Sequence, residues 1–171
     1  MDYFSKSSLF PIPDFQLFVN NDTLLTVPVP HSHDFFEIVL VARGYGEHRF
    51  DGQNSCGVMQ GDVFAIRPGE IHCYSDGQQM MIFNVLFDPN FLTPEWSQLL
   101  QLPNIARMHN SPAYKYHLKI FERQSAERLL HEIINEIALR RPAFRIRARA
   151  LLLEFLILAG RAEEQTWRSH D

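Results

Sequence analysis

A mainly β domain, a jelly-roll barrel of antiparallel strands followed by two C-terminal helices, is the fold class this sequence predicts. Three observations carry it. From Asp34 to Phe87, β-branched and aromatic runs are punctuated at Gly44-Tyr45-Gly46, Asp51-Gly52, Gly61-Asp62, Pro68-Gly69 and Asp76-Gly77, as short strands joined by tight turns are. After residue 119 the apolar period lengthens from two to about 3.6 residues, the mark of helices. The chain has 171 residues, 46% of them hydrophobic, enough for one well-buried domain and too few for two ordinary ones.

Residues 1–30, which include Pro11, Pro13, Pro28 and Pro30, read as an N-terminal arm with one or two short strands. Residues 31–118 hold the barrel and a connecting segment. Within them, Phe35 to Val41 is apolar on both parities, so both faces of that strand are expected to be covered. Met80 to Phe87 behaves the same way, and Asp88-Pro89 ends it because proline cannot donate to the ladder. Residues 90–118 read as irregular, with a short helix near Trp96.

Residues 119–164 read as a helix pair. In the first helix Ala126, Leu129, Leu130, Ile133, Ile134, Ile137 and Ala138 share a face, and Arg141-Pro142 breaks it, with Pro142 suited to start the second. In the second, Ile146, Ala150, Leu153, Ile157 and Gly160 recur as a short heptad seam, while Leu151, Phe155, Leu158 and Ala159 line another side; Arg147, Glu154 and Arg161 mark the solvent stripe. Two apolar faces need two partners. The barrel supplies one, and a twin helix in a second chain is expected to supply the other, giving a homodimer with Ile146, Ala150, Leu153 and Ile157 at its interface. Packing of both faces within one chain is the alternative. Residues 165–171 suit a linker stump.

A formal charge of −4 gives the surface no general attraction for nucleic acid. The arginines crowded between positions 140 and 149 are a local exception, read as a solvated helix face. Cys56 and Cys73 have neither zinc-type spacing nor a disulfide framework. No secretory signal and no membrane-length apolar run is visible, so a cytoplasmic protein without a membrane partner is expected.

The residues that could carry chemistry are His31, His33, Glu37 and His72. Side chains two apart on a strand point to the same side, so positions 31, 33 and 37 share a face, and His72 follows the Pro68-Gly69 turn. Three imidazoles and a carboxylate suit iron, manganese, nickel, copper or zinc. The same set could serve without metal as a hydrogen-bonded pocket for an organic ligand. Arg43 shares their parity and would lie at the barrel mouth, its donor fork free to grip hydroxyls or a carboxylate; a turn-capping or surface arginine is the alternative. Tyr74 matches the parity of His72, and Asn84 is the lone polar residue of an apolar strand, so its amide needs a ligand or a backbone partner. Phe64 reads as core.

These motifs, with Arg43-Gly44-Tyr45-Gly46 and Pro68-Gly69-Glu70-Ile71-His72-Cys73-Tyr74, resemble the N-terminal sensor domain of AraC-type transcription regulators, a cupin barrel followed by two helices. Glu37-Ile38-Val39 and Asn84-Val85-Leu86-Phe87 look most like the rhamnose-responsive activators, and the resemblance covers roughly residues 25–164. It implies a ligand-sensing, dimerising domain that binds a small effector, typically a sugar, under a closing arm. It also implies ligand contacts from Arg43 and Tyr74, no catalytic residue, no required cofactor, and contact with DNA only through a C-terminal domain absent from this chain. The family's stacking aromatic is replaced by Asn84 and a nearby histidine by Ile82, which argues against arabinose itself. The missing DNA reader leaves either a piece ending after the linker or a stand-alone domain. The rival readings are a metal-dependent cupin isomerase or dioxygenase using His31, His33, Glu37 and His72, and a cupin that only assembles with a partner protein.

Overall fold

The computed structural model describes residues 2–12, 14–24, 27–52 and 54–162, with side chains except at 24, 27, 28 and 76. The expected linker stump, residues 165–171, lies outside the described residues. In chain order the elements are β1 (Asp2–Phe4), α1 (Lys6–Leu9), β2 (Leu17–Leu24), β3 (Val27–His33), β4 (Phe36–Phe50), β5 (Asn54–Met59), β6 (Asp62–Ile66) and β7 (His72–Phe87). A 3-10 turn (Pro89–Leu92), α2 (Trp96–Leu99), α3 (Pro103–Asn110), β8 (Lys115–His117), α4 (Ile120–Leu139) and α5 (Phe144–Arg161) follow. The chain is therefore a mainly β cupin-type half-barrel followed by helices, as its sequence predicts.

One curled eight-stranded sheet runs β1-β3-β7-β4-β6-β8, with β2 also on β7 and β5 also on β4. The long strands β4 and β7 pair from Phe36↔Phe87 to Phe50↔His72 and form its spine. Alternation along the strands sorts their side chains into two cores. Phe36, Ile38, Leu40, Phe83, Val85 and Phe87 face outward and join the α4 and α5 residues Leu129, Leu130, Ile133, Leu152, Phe155 and Leu156. Val39, Val41, Phe64, Ile66, Tyr74 and Ile82 face inward and form a second cluster inside the curl. Both faces of β4 and β7 are covered, which is why their apolar runs show no polar alternation.

The segment 1–30 carries more sheet than an arm would. β2 pairs along its length with β7, from Leu17↔Phe87 to Leu24↔Met80, and Ile12, Phe15, Leu17 and Val19 are buried. The connecting segment holds the helix expected near Trp96, and additionally α3, whose Pro103 sits at its first turn. Asn104 of α3 donates to the carbonyls of Ala159 and Ala162 at 3.1 and 2.8 Å and accepts from the Tyr114 hydroxyl at 2.7 Å. The end of α5 is thereby pinned to α3.

Two helix assignments need correction. Ala138 is exposed, although Ile137 beside it stays in the core. Gly160 is not on the seam: it packs against α3, where an added Cβ would sit 2.7 Å from Leu102 and 2.9 Å from Ile105. Ile146 and Ile157 remain exposed, at 74% and 37%. The arginine-rich stretch is a helix face held by ion pairs, Arg147 with Glu132 and Glu136 and Arg149 with Glu95.

Candidate functional site

Inside the curl, next to the inward apolar cluster, lies a cavity of about 320 Å³, a size suited to a small organic molecule. It is lined by Phe18, Asn20 and Asp22 of β2, His31 and His33 of β3, Glu37 of β4, and His72, Tyr74, Ile82, Asn84 and Leu86 of β7. Asp2, Phe4 and Leu9 close it from the N-terminus. This closing segment is fixed by β1 pairing parallel to β3, by the Phe4 ring against His31 at 5.4 Å, and by Lys6. The Lys6 amide donates to Asp34 at 2.7 Å and its ammonium pairs with Asp88.

His31 and His72 are directly opposite in the β3–β7 register, so their rings meet at 4.1 Å. The turn before His72 is tied to β3 by the Gly69 amide donating to the His33 carbonyl at 2.8 Å. Glu70 braces the same turn by accepting from the Arg67 amide at 2.7 Å. These local bonds bring His33, Glu37 and His72 together: their ligand-type atoms all lie within 4.8 Å of one another, and all three residues are buried. His31 stands beside this trio, its Nδ1 donating to the Val29 carbonyl at 3.2 Å.

The His33–Glu37 contact has a definite chemical requirement. His33 Nδ1 lies 2.9 Å from the Phe35 carbonyl, and because a carbonyl only accepts, that nitrogen carries a proton. Nε2 then faces a Glu37 carboxylate oxygen at 3.0 Å. Two acceptors at that distance need a proton or a metal cation between them. Burial alone would push Glu37 up, but the His33 hydrogen bond and the fields of His72, His33 and His31 outweigh it, and its carboxyl lies below the usual range. His72 is pushed down to about 3, chiefly by burial, with Glu37 pulling the other way. It is a neutral imidazole at ordinary pH, and both its nitrogens are buried without a hydrogen-bond partner among the described residues. That donor set fits a divalent transition metal.

Tyr74 is buried, and burial together with the charges of Glu37, Cys56 and Cys73 pushes its phenol well above the ordinary value. It keeps its proton, and its hydroxyl has no partner among the described residues. The side-chain oxygens of Asn20 and Asn84 are buried without a partner as well.

Arg43 is not in this site. It is exposed and does not line the cavity. The reason is a run of register shifts in β4 between Val41 and Glu47, where Gly44, at φ +74°, lies so close to β7 that an added Cβ would collide with the Gln78 and Gln79 carbonyl oxygens. Beyond the bulges the inward parity passes from odd to even positions. His48 therefore points inward in place of a residue of Arg43's parity. It is 2% exposed, stacks on Phe64 at 4.6 Å and sits 5.3 Å from the Tyr74 ring. Burial, with a smaller contribution from His31, holds it down at about 4. His48 and Asn20 are buried or half-buried inward residues that sequence reasoning missed, as are Asp2 and Asp22 at the exposed edge of the cavity. The glycines flanking Tyr45 were the available signal for the first, and an asparagine two positions from Phe18 on an alternating strand for the second.

A half-barrel with a largely apolar cavity that holds a few buried polar groups, and a helical layer outside, defines a small-molecule-binding module of the cupin type. Residues 17–156 match the model of the AraC-like ligand binding domain, and the chain belongs to that family. It is 28% identical over 138 residues to the HTH-type transcriptional activator RhaR of Cronobacter sakazakii, covering 78% of this chain and 48% of that protein. It is 39% identical over 57 residues to the HTH-type transcriptional activator RhaS of Pectobacterium carotovorum, covering 33% of this chain and 20% of that one. The chain thus spans about half the length, or less, of these relatives, which are of the Rha type its motifs suggest. Solved structures similar to it include a Neisseria meningitidis protein (TM-score 0.40, 13% identity, 45% of this chain and 79% of that one). A Bacteroides fragilis cupin protein is another (TM-score 0.35, 22% identity, 42% and 64%). No helix among the described residues is long and apolar enough to cross a membrane.

Proposed function

We propose that this chain is the effector-sensing and dimerising module of an AraC-type transcription regulator, and that its effector is a small polar metabolite of the sugar class. The observation that carries the reading is the set of buried polar atoms around one cavity that have no partner among the described residues: Asn20 Oδ1, Asn84 Oδ1, the Tyr74 hydroxyl and both nitrogens of His72. Each unsatisfied buried group costs about 1–3 kcal/mol, a cost that a hydroxyl-bearing ligand would relieve. The N-terminal segment over the cavity supports a ligand-dependent closure, and contacts that differ between free and bound states would shift it. The exposed seam residues support a homodimer. In the whole protein, DNA would be contacted by a separate domain, as the names of the relatives suggest, and the work would be done in the cytoplasm without bond-breaking.

A thermal-shift screen of sugars and other polar metabolites tests this, since a ligand that binds only the folded form raises the unfolding temperature by mass action. Stabilisation by a polar metabolite supports the reading. A screen in which no compound of any class stabilises the chain sinks it.

A second reading is favoured by the His33–Glu37 approach. A divalent metal among iron, manganese, nickel, copper and zinc would be held by His33, Glu37 and His72, with His31 alongside, and would act as a Lewis acid on an oxygen bound in the cavity. Retention of one metal per chain through dialysis, together with turnover of a sugar or carboxylate substrate, would favour an enzyme. Effector-dependent stabilisation of metal-stripped protein would favour the sensor.

A further inference from the structure

With Arg43 outside, no lysine or arginine is among the described residues lining the cavity. Its carboxylates are Asp2, Asp22 and Glu37, and its basic groups are imidazoles. In the metal-free chain a carboxylate brought into this space would meet three groups of its own sign and no lysine or arginine to pair with, an unfavourable exchange for its hydration. The charge pattern selects against acids.

The polar groups also have a geometry. Asn20 and Asn84 are directly opposite in the β2–β7 register, and both line the cavity. Opposed residues of an antiparallel pair carry their Cβ atoms about 5 Å apart, so the two amides stand side by side. Each has a buried oxygen without a partner. A primary amide offers an acceptor oxygen and a donor NH2, and a hydroxyl is likewise both donor and acceptor. Two adjacent hydroxyls of one ring therefore match two adjacent amides. Phe18, Ile82 and Leu86 lie two positions from the asparagines on the same faces and offer apolar contact for the carbon side of such a ring.

We propose that Asn20 and Asn84 form a paired-amide clamp for neighbouring hydroxyls of an uncharged polyol ring, and that the cavity discriminates against the acid analogue of the same ring. This rests on the reading of the cavity as the effector site, and it makes Asn20 a specificity-determining residue.

Calorimetry on the whole chain with matched probes tests it: D-glucose, D-galactose, D-mannose and L-rhamnose against D-glucuronate, D-galacturonate and D-mannuronate. At least one neutral sugar binds, and every uronate binds at least tenfold more weakly than that sugar. Asn20→Leu and Asn84→Leu each lose at least tenfold in affinity for it without a lower unfolding temperature. Asn21→Leu, on the same strand but exposed, binds as the parent does. If Asn84→Leu fails to fold, Asn20→Leu and Asn20→Ser carry the same test from the other strand.

A uronate that binds as well as the neutral sugars overturns the charge selection. Unchanged affinity in the asparagine variants overturns the clamp. Stabilisation only by a compound that is not a polyol overturns the proposal and leaves the sensor reading standing. If nothing of any class binds, the sensor reading itself falls, and the clamp falls with it.

Discussion

His48 shows at the scale of one side chain how burial keeps an imidazole inside this barrel neutral. It is enclosed between Phe64 and Tyr74, and burial holds its imidazole down at about 4, as it holds His72 at about 3. Both values lie below that of a histidine in the unfolded chain, near 6.5. As pH falls below 6.5 the unfolded chain takes up protons that the folded one refuses, so stability is full above that pH and is lost progressively toward pH 4. For His48 the loss is on the order of 3 kcal/mol. Urea unfolding of metal-free protein between pH 7 and pH 4 should show this slope, and His48→Phe should flatten it measurably. A slope unchanged in that variant would mean that His48 is solvated in the folded chain.

The difference between His48 and Arg43 marks, at the scale of the element, where the sequence stops being legible. Period-two reading of β4 places Glu37, Val39 and Val41 on the inner face correctly, because the strand is regular there. Three register shifts follow within six residues, and each can exchange the faces. Arg43 leaves the cavity and His48 enters it, an outcome decided by how the β4 bend packs on Gln78 and Gln79 of β7. His33 and Glu37 were readable because they precede these shifts, and His72 and Tyr74 because two of the shifts each add one residue to β7, which leaves its parity unchanged. Register across strands was not readable, so the opposition of Asn20 to Asn84 could come only from the fold. The heptad reading of α5 failed at Gly160 for a related reason: α3, a short helix in a segment whose prolines read as irregular chain, occupies the space beside that residue. Packing there is tight enough to make a test. Gly160→Ala should destabilise the chain by roughly 1–3 kcal/mol, because the methyl group meets Leu102 and Ile105 below contact distance. Asn104→Leu should cost a comparable roughly 2 kcal/mol by leaving the last carbonyls of α5 without their donor. Chemical denaturation measures both. A stable Gly160→Ala variant would show that α3 can give way.

At the scale of the whole molecule, the two cores share their strands. Asn84, between Ile82 and Leu86, faces the cavity, while Phe83, Val85 and Phe87 of the same strand face the layer of α4 and α5. A ligand that draws β2 and β7 together at Asn20 and Asn84 therefore acts on residues whose neighbours hold the helices. The seam on α5 is the outward side of that layer. Leu153 is partly buried against the outer core, whereas Ile146 and Ile157 expose apolar surface that nothing among the described residues covers. Burial of those isoleucines against the same residues of a second copy would use a self-complementary patch, as a twofold interface requires. Ile146→Asp combined with Ile157→Asp places two charges on this patch without touching the cavity or either core. Sedimentation equilibrium should then report a monomer where the parent is a dimer, with an unfolding temperature little changed and effector affinity retained. A variant that remains dimeric would move the interface to another face of the molecule. One that becomes monomeric and also loses effector affinity would mean that dimerisation and the cavity are coupled through the shared strands, since binding free energies linked in one direction are linked equally in the other.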